Sequence, residues 1–207
     1  MRTRIRQDFY LRPDVLTIAR ELLGKRLVSN IGGIITSGLI SETEAYNGII
    51  DRASHAYGNR RTQRTETMYR SGGIAYIYLC YGIHSLFNVV TNIEGIPHAV
   101  LIRSVIPCGG LDAMGKRIGR KVGIRDGIGP GRLTKLLGLK YTDNGEDLIN
   151  SNKIWIEEGL GEVSDTIVDV TARIGVGYAA EDAELPYRFV IQPDNYGALP
   201  LADCEGL

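Results

Sequence analysis

GIAYIYLCYGIHSLFNVVTN, residues 73–92, decides the fold. Two runs rich in β-branched and aromatic residues flank Tyr81-Gly82, which reads as a hairpin hinged at that dipeptide. Alternation along a strand puts Tyr76 and Tyr78 on one face, with Tyr81 on the other, at the turn. Working outward, HAVLIRSVIP (98–107), KIWIEEG (153–159) and YRFVIQ (187–192) read as further strands. Residues 26–46 read as two or three strands, broken by NIGG and by Ser37-Gly38. PDVLTIARELLG (13–24) opens with Pro and Asp, repeats apolar residues at helical spacing and stops at Gly24, so a helix is expected. LDAMGKRIG and GRLTKLLGL read as short helices with glycine ends. Residues 50–72 are polar and Arg-rich, as in a long surface loop with at most a short helix. Strands and helices mix without a regular βαβ period, which gives one α+β domain over 1–207.

The chain has 207 residues, 43% hydrophobic and 23% charged, ordinary for a globular protein. No apolar run approaches a membrane span, and Arg20 and Glu21 spoil the N-terminal segment as a signal-peptide core. Cys80, Cys108 and Cys204 form no CxxC pair, which points to a reducing, cytoplasmic compartment. Three scattered histidines give a zinc site little to work with. Formal net charge is zero, but it is unevenly spread. Residues 141–207 hold three Lys/Arg against fourteen Asp/Glu, and the first 140 hold 21 against 10. Two readings stand: an acidic tail that neutralises the body, or a basic face for a polyanion with acidic residues turned away.

ISETEAY (40–46) places Glu42, Glu44 and Tyr46 on one strand face. Such a face is either a solvated strand end or the lining of a site. Arg103 ends the apolar run AVLIR; turned inward, it needs a carboxylate, and Glu44 is the natural one. The cation would then hold the Glu44 pKa low and leave an ionised carboxylate able to deprotonate a water. Asn88 lies inside SLFNVV, where a buried amide demands partners. Six of the eleven tyrosines fall between residues 46 and 81. Most suit half-buried strand positions, but an aromatic at a hairpin tip in a basic region has the shape of a wedge for the DNA minor groove.

ETEAY (42–46), His55 nine residues later, YIYLCYG (76–82), Asn88 and the VLIR ending at Arg103 resemble the alkyladenine (3-methyladenine) DNA glycosylase family. DFYLRPDVLTIARELLGKRLV, GPGRLTKLLG (129–138), RIGVGYA (173–179) and PYRF (186–189) resemble the same family's opening and later motifs. The resemblance implies a compact domain with a curved, mainly antiparallel sheet, short helices and a protruding, DNA-inserting hairpin. It implies an enzyme that flips alkylated or deaminated purines out of duplex DNA and hydrolyses the N-glycosidic bond. By the same resemblance, Glu44 is the general base and Arg103 helps to hold it. Tyr46 and His55 flank the flipped base on one side and Tyr78 on the other. Asn88 crowds the guanine 2-amino group, and Tyr81 fills the gap left in the duplex. No metal or organic cofactor is implied, and no membrane partner; a monomer in the cytoplasm is expected. No lysine lies between Tyr46 and Arg103, so a Schiff-base, strand-nicking chemistry is not expected.

Overall fold

The computed structural model describes residues 3–199, 201 and 204. One curled sheet organises them. Its strands are β1 (Arg26–Ile31), β2 (Ile34–Tyr46), β3 (Ala75–Cys80), β4 (His84–Thr91), β5 (His98–Gly109), β6 (Ile154–Glu157), β7 (Val168–Thr171) and β8 (Arg188–Ile191). The order is β3-β4-β5-β2-β1-β6, and β8 pairs with β2 while carrying β7 on its other edge. Every pairing is antiparallel. Four short helices accompany it: α1 (Gln7–Tyr10), α2 (Val15–Glu21), α3 (Leu111–Ile118) and α4 (Pro130–Leu137). This is the α+β domain the sequence led us to expect.

β2 is the spine. Its first half pairs with β1 and its second half, Glu42–Glu44, with β8, so the sheet branches along one strand. Ser37-Gly38 does not break it, contrary to expectation; the register shifts there and the strand runs on. Two further shifts sit side by side. Ser41 is extra between Ile40↔Val105 and Glu42↔Ser104, and Arg103 is extra between Ser104 and Ile102 on β5. Bulges of this kind re-aim side chains, and these two frame the acidic face read from the sequence.

The two faces of the sheet are covered differently. Leu39, Ala45, Ile77, Phe87, Val89, Val100 and Ile102 join the main core with α2 and α4. α2 begins at Asp14, whose carboxylate accepts from the Leu16 amide at 2.9 Å and from the Thr17 hydroxyl at 2.5 Å. It buries Val15, Ile18 and Ala19, and the chain turns at Gly24 with φ +79°. The Thr43 hydroxyl locks β2 to the helix by donating to the Ala19 carbonyl at 2.8 Å. α4 starts with Pro130 and ends at a left-handed Gly138. Its Thr134 hydroxyl reaches the Ser85 carbonyl at 2.7 Å, which seats the helix beneath the β3–β4 hairpin.

The opposite face is roofed by residues 48–70 and by the RIGVGYA segment. The Arg-rich stretch is not merely surface: it winds through three 3-10 turns and buries Thr65, Thr67, Met68 and Tyr69. β7 was not legible, because VDVT is too short and polar to stand out. The three cysteines are not all reduced. Cys108, extra in its pairing with β2, forms a disulfide with Cys204 across 96 residues. Nor is the acidic third simply turned away. Glu158 meets Lys25, Asp165 meets Arg20, Glu181 meets Arg52 and Asp194 meets Arg125.

Candidate active site

Pairing across β2, β5, β4 and β3 lines up Glu44, Leu101, Asn88 and Tyr76 in one row on the roofed face. The next row carries Tyr46, Ala99 and Val90. The sheet therefore brings together Glu44, Tyr46, Tyr76, Tyr78 and Asn88, which are spread over 45 residues of sequence. The roof adds His55, Met68 and Tyr178. Tyr46, Tyr76, Tyr78 and Asn88 with these roof residues enclose a cavity with about 40 Å³ of free volume, and Glu44 is joined to that lining through the Tyr46 hydroxyl. Beside it opens a cleft of about 500 Å³ edged by Arg52, Arg60, Arg64, His55 and Tyr178.

Neither carboxylate is a solvated strand end: the Glu44 side chain is 0% exposed and that of Glu42 is 6% exposed. Glu44 Oε1 accepts from the Ile174 amide at 2.7 Å, and Oε2 accepts from the Tyr46 hydroxyl at 2.9 Å. Arg103 is turned inward as expected, but its grip on Glu44 is loose, at 3.4 Å. Its Nε lies closer to Glu42, at 3.0 Å. Glu42 also accepts from Arg188 Nε at 2.6 Å and from the Ser104 hydroxyl at 2.5 Å.

The electrostatics correct the expected pKa. Burial pushes the Glu44 carboxyl above the ordinary carboxylate range, outweighing Arg103, the Ile174 amide and the Tyr46 hydroxyl. Burial acts the same way on Glu42, but hydrogen bonds from Ser104 and Arg188 and the two guanidinium charges hold it below that range. The cations thus depress the neighbour of the residue expected to feel them. Such a split gives two adjacent carboxylates different chemistry.

The aromatic wall is tightly knit. His55 Nδ1 lies 2.9 Å from the Tyr76 hydroxyl, and the His55 ring meets Tyr78 edge-on at 4.7 Å. Burial, with Arg64 and Arg60 nearby, pushes the His55 pKa down to about 4, so the ring is neutral at pH 7. The Arg64 guanidinium lies over Tyr78 at 4.8 Å. Asn88 spends its amide on the Tyr76 carbonyl at 3.0 Å, which fixes the carboxamide at the cavity wall. Tyr81 stands apart at the tip of the hairpin. It is 92% exposed, with φ +50° beside Gly82 at φ +73°, and Ile83 next to it is also exposed.

Sequence reasoning missed the device that holds the roof. Asp51 and Arg173 form a fully buried pair with contacts of 2.5 and 2.8 Å. Arg173 also donates to the Ala45 carbonyl at 2.9 Å and lies over the Tyr46 ring at 4.9 Å. Arg173 opens the motif RIGVGYA, the one signal that could have flagged it; its partner lies 122 residues away. Tyr178, in the same motif, is 69% exposed and donates to the Ala53 carbonyl at 3.1 Å.

Among the described residues no group of three His, Cys, Asp or Glu could hold a metal ion, and no helix is long and apolar enough to cross a membrane. The profile of the family described as Methylpurine-DNA glycosylase (MPG) matches residues 8–195. A Chlamydia pneumoniae protein named "Putative 3-methyladenine DNA glycosylase" is 43% identical over 195 residues, covering 93% of this chain and 97% of the relative. Proteins of the same name from Chlamydia felis and Clostridium perfringens strain SM101 are 47% and 39% identical. Those matches cover 89% and 93% of this chain, and 94% and 98% of the relatives. With its profile matched across the sheet, the aromatic cavity and the buried acid, the chain belongs to the methylpurine-DNA glycosylase family of DNA-repair enzymes.

Proposed function

We propose that this chain acts as one catalytic unit on double-stranded DNA, flips alkylated or deaminated purines into the Tyr46–His55–Tyr78 cavity and hydrolyses their N-glycosidic bond. The class includes 3-methyladenine, 7-methylguanine, hypoxanthine and ethenoadenine. The observation that carries this reading is Glu44: a wholly buried carboxyl, raised in pKa and hydrogen-bonded to Tyr46 of the aromatic cavity. A base with that pKa takes a proton from water more readily than an ordinary carboxylate. Glu44 is fixed by the Ile174 amide and the Tyr46 hydroxyl, and the loose Arg103 contact leaves its Oε2 room for a water.

The water oxygen attacks the anomeric carbon, its proton passes to Glu44, and the bonding pair leaves with the base. A cationic base such as 3-methyladenine departs neutral and needs no further proton. Phenol and imidazole faces favour that charge. Neutral lesions need protonation of the leaving base. A cavity of about 40 Å³ holds water, not a purine, so admission of the base requires movement at its rim. Tyr178 on its lining and Arg64, which lies over Tyr78, are both exposed. Asn88, held at the wall, is placed to crowd the 2-amino group of normal guanine. Tyr81 wedges into the gap left by the flipped nucleotide. The absence of lysine from Tyr46 to Arg103 supports release of an intact strand carrying an abasic site, and the protein acts as a monomer.

The test is single-turnover base release from duplexes that each carry one defined lesion, with strand breaks scored before and after alkali. Release by the wild type, loss in Glu44→Gln and breaks only after alkali are expected. Tight DNA binding with no release from any such lesion would reduce the protein to a binding module.

A further inference from the structure

The bulges at Ser41 and Arg103 bring three strands to one polar cluster beside Glu44. Its centre is Glu42, a residue with no part in the reaction as written above. Glu42 Oε1 accepts from Arg103 Nε at 3.0 Å and from Arg188 Nε at 2.6 Å, while Oε2 takes the Ser104 hydroxyl at 2.5 Å. Ser104 is itself fixed, because its oxygen accepts from the Gly129 amide at 3.2 Å. Arg188 is held from its far side, donating to the Thr171 hydroxyl at 2.9 Å. Glu42 therefore has little capacity left for a water or a substrate. Arg103, 59 residues from Glu44 in sequence, could have closed on either acid, and the structure divides it unequally, at 3.0 Å from one and 3.4 Å from the other.

We propose that Glu42 is a positioning residue for the glycosylase reaction: by holding Arg103 together with Arg188, it keeps the Arg103 guanidinium from pairing fully with Glu44. The inference rests on Glu44 being the base. A guanidinium forked onto both Glu44 oxygens would occupy the lone pairs that a water needs and weaken the carboxylate as a base. With Glu42 in place, Arg103 orients Glu44 from a distance and the proton-accepting oxygen stays available. Arg188 completes the device, because it competes with Arg103 for the same Glu42 oxygen and sets how firmly Glu42 can pull.

The other charged and titratable groups around Glu44 do not supply this function. On its own strand there is the Tyr46 hydroxyl, which donates to Oε2. From the RIGVGYA segment come Arg173, committed to Asp51, and the Tyr178 phenol. From β5 comes Arg103, and Arg188 on β8 reaches Glu42 instead. Among the described residues, Glu42 is the negative charge that draws Arg103 off Glu44.

The two ends of the device should respond in opposite directions. In Glu42→Gln the negative charge is gone and Arg103 closes on Glu44, so the acid limb of the pH–rate profile moves to lower pH. The plateau rate then falls about tenfold with half-saturation by DNA unchanged. In Arg188→Gln, Glu42 pulls harder on Arg103 and a positive charge is lost, so the acid limb moves to higher pH. The experiment is the single-turnover rate against pH for wild type, both variants, Glu44→Gln, and Arg103→Gln with and without Glu42→Gln, on one lesion duplex. Opposite shifts support the proposal. Unmoved limbs, shifts in the same direction, or a Glu42→Gln shift that persists undiminished in an Arg103→Gln background overturn it, because loss of the Glu42 charge alone lowers the Glu44 pKa whether or not Arg103 moves. Arg188 lies near the surface, with its side chain 17% exposed, so its variant carries the test alone if Glu42→Gln does not fold. Wild-type activity retained in Glu44→Gln would sink the base assignment, and this inference with it.

Discussion

The molecule contains two buried acid–arginine arrangements, their acids seven residues apart in sequence, built to opposite ends. Asp51 and Arg173 form a tight, forked pair with side chains 1% and 0% exposed, and the Arg173 Nη groups also donate to the Ala45 and Asp182 carbonyls. Glu44 and Arg103 sit at 3.4 Å, and Glu44 keeps a raised pKa. The first arrangement satisfies both charges and fastens the roof to the sheet. The second leaves a carboxyl short of compensation, in the one place where a reactive carboxylate is useful. Low dielectric strengthens a satisfied pair and penalises an unsatisfied one.

The comparison breaks most sharply at Glu44. Glu44→Gln is expected to lower single-turnover base release by about 10³-fold, in the range general-base removal produces, with DNA binding retained. The counterpart is Asp51→Asn, which strands Arg173 without its charge partner. It should cost about 3–5 kcal/mol in urea denaturation, because a buried charge is left unpaired. An equal loss of stability from both substitutions would mean that the two arrangements do not differ as described.

Smaller effects sharpen the contrast. Tyr81→Ala removes an exposed side chain, so the urea midpoint should stay put while base release slows about tenfold through weaker support of the flipped state. Catalysis should decline on the acid side as Glu44 takes up a proton, with a midpoint above the ordinary glutamate range. His55, pushed down to about 4, should add no limb near neutrality. The smallest effect runs the other way. Because the Glu44 pKa is raised on folding, its ionisation works against the fold as pH rises above the unfolded value. Glu44→Gln should therefore melt slightly higher than wild type at pH 7.5, and the difference should fade in acid, where the wild-type carboxyl is protonated. A lower melting temperature at pH 7.5 would show Glu44 to be a satisfied ion-pair member like Asp51.

Much of this was legible one residue at a time. The hairpin within 73–92, the helix closing at Gly24, the strand 98–107, which the structure extends to Gly109, and the shared face of Glu42, Glu44 and Tyr46 follow from local periodicity and turn chemistry. The family motifs named Glu44, Tyr46, His55, Tyr78, Asn88 and Arg103; the sheet gathers all but His55, which the roof brings to them. Tyr81 stands where the alternation puts it. The pKa of Glu44 came out with the wrong sign, since pairing it with Arg103 overlooked both the depth of burial and a second claimant for the cation. Arg173, Asp51, Arg188 and the Cys108–Cys204 disulfide were missed because each depends on a partner 96 or more residues away.

The sequence by itself determined most of the elements, the faces their side chains take and the aromatic and acidic inventory of the site, because these depend on spacings of two to four residues. Only the tertiary structure decided which arginine serves which acid, how dry Glu44 is and how small the free cavity is. Those depend on two single-residue bulges and on a roof fastened from the far end of the chain, and charge in a low dielectric is governed by neighbours in space.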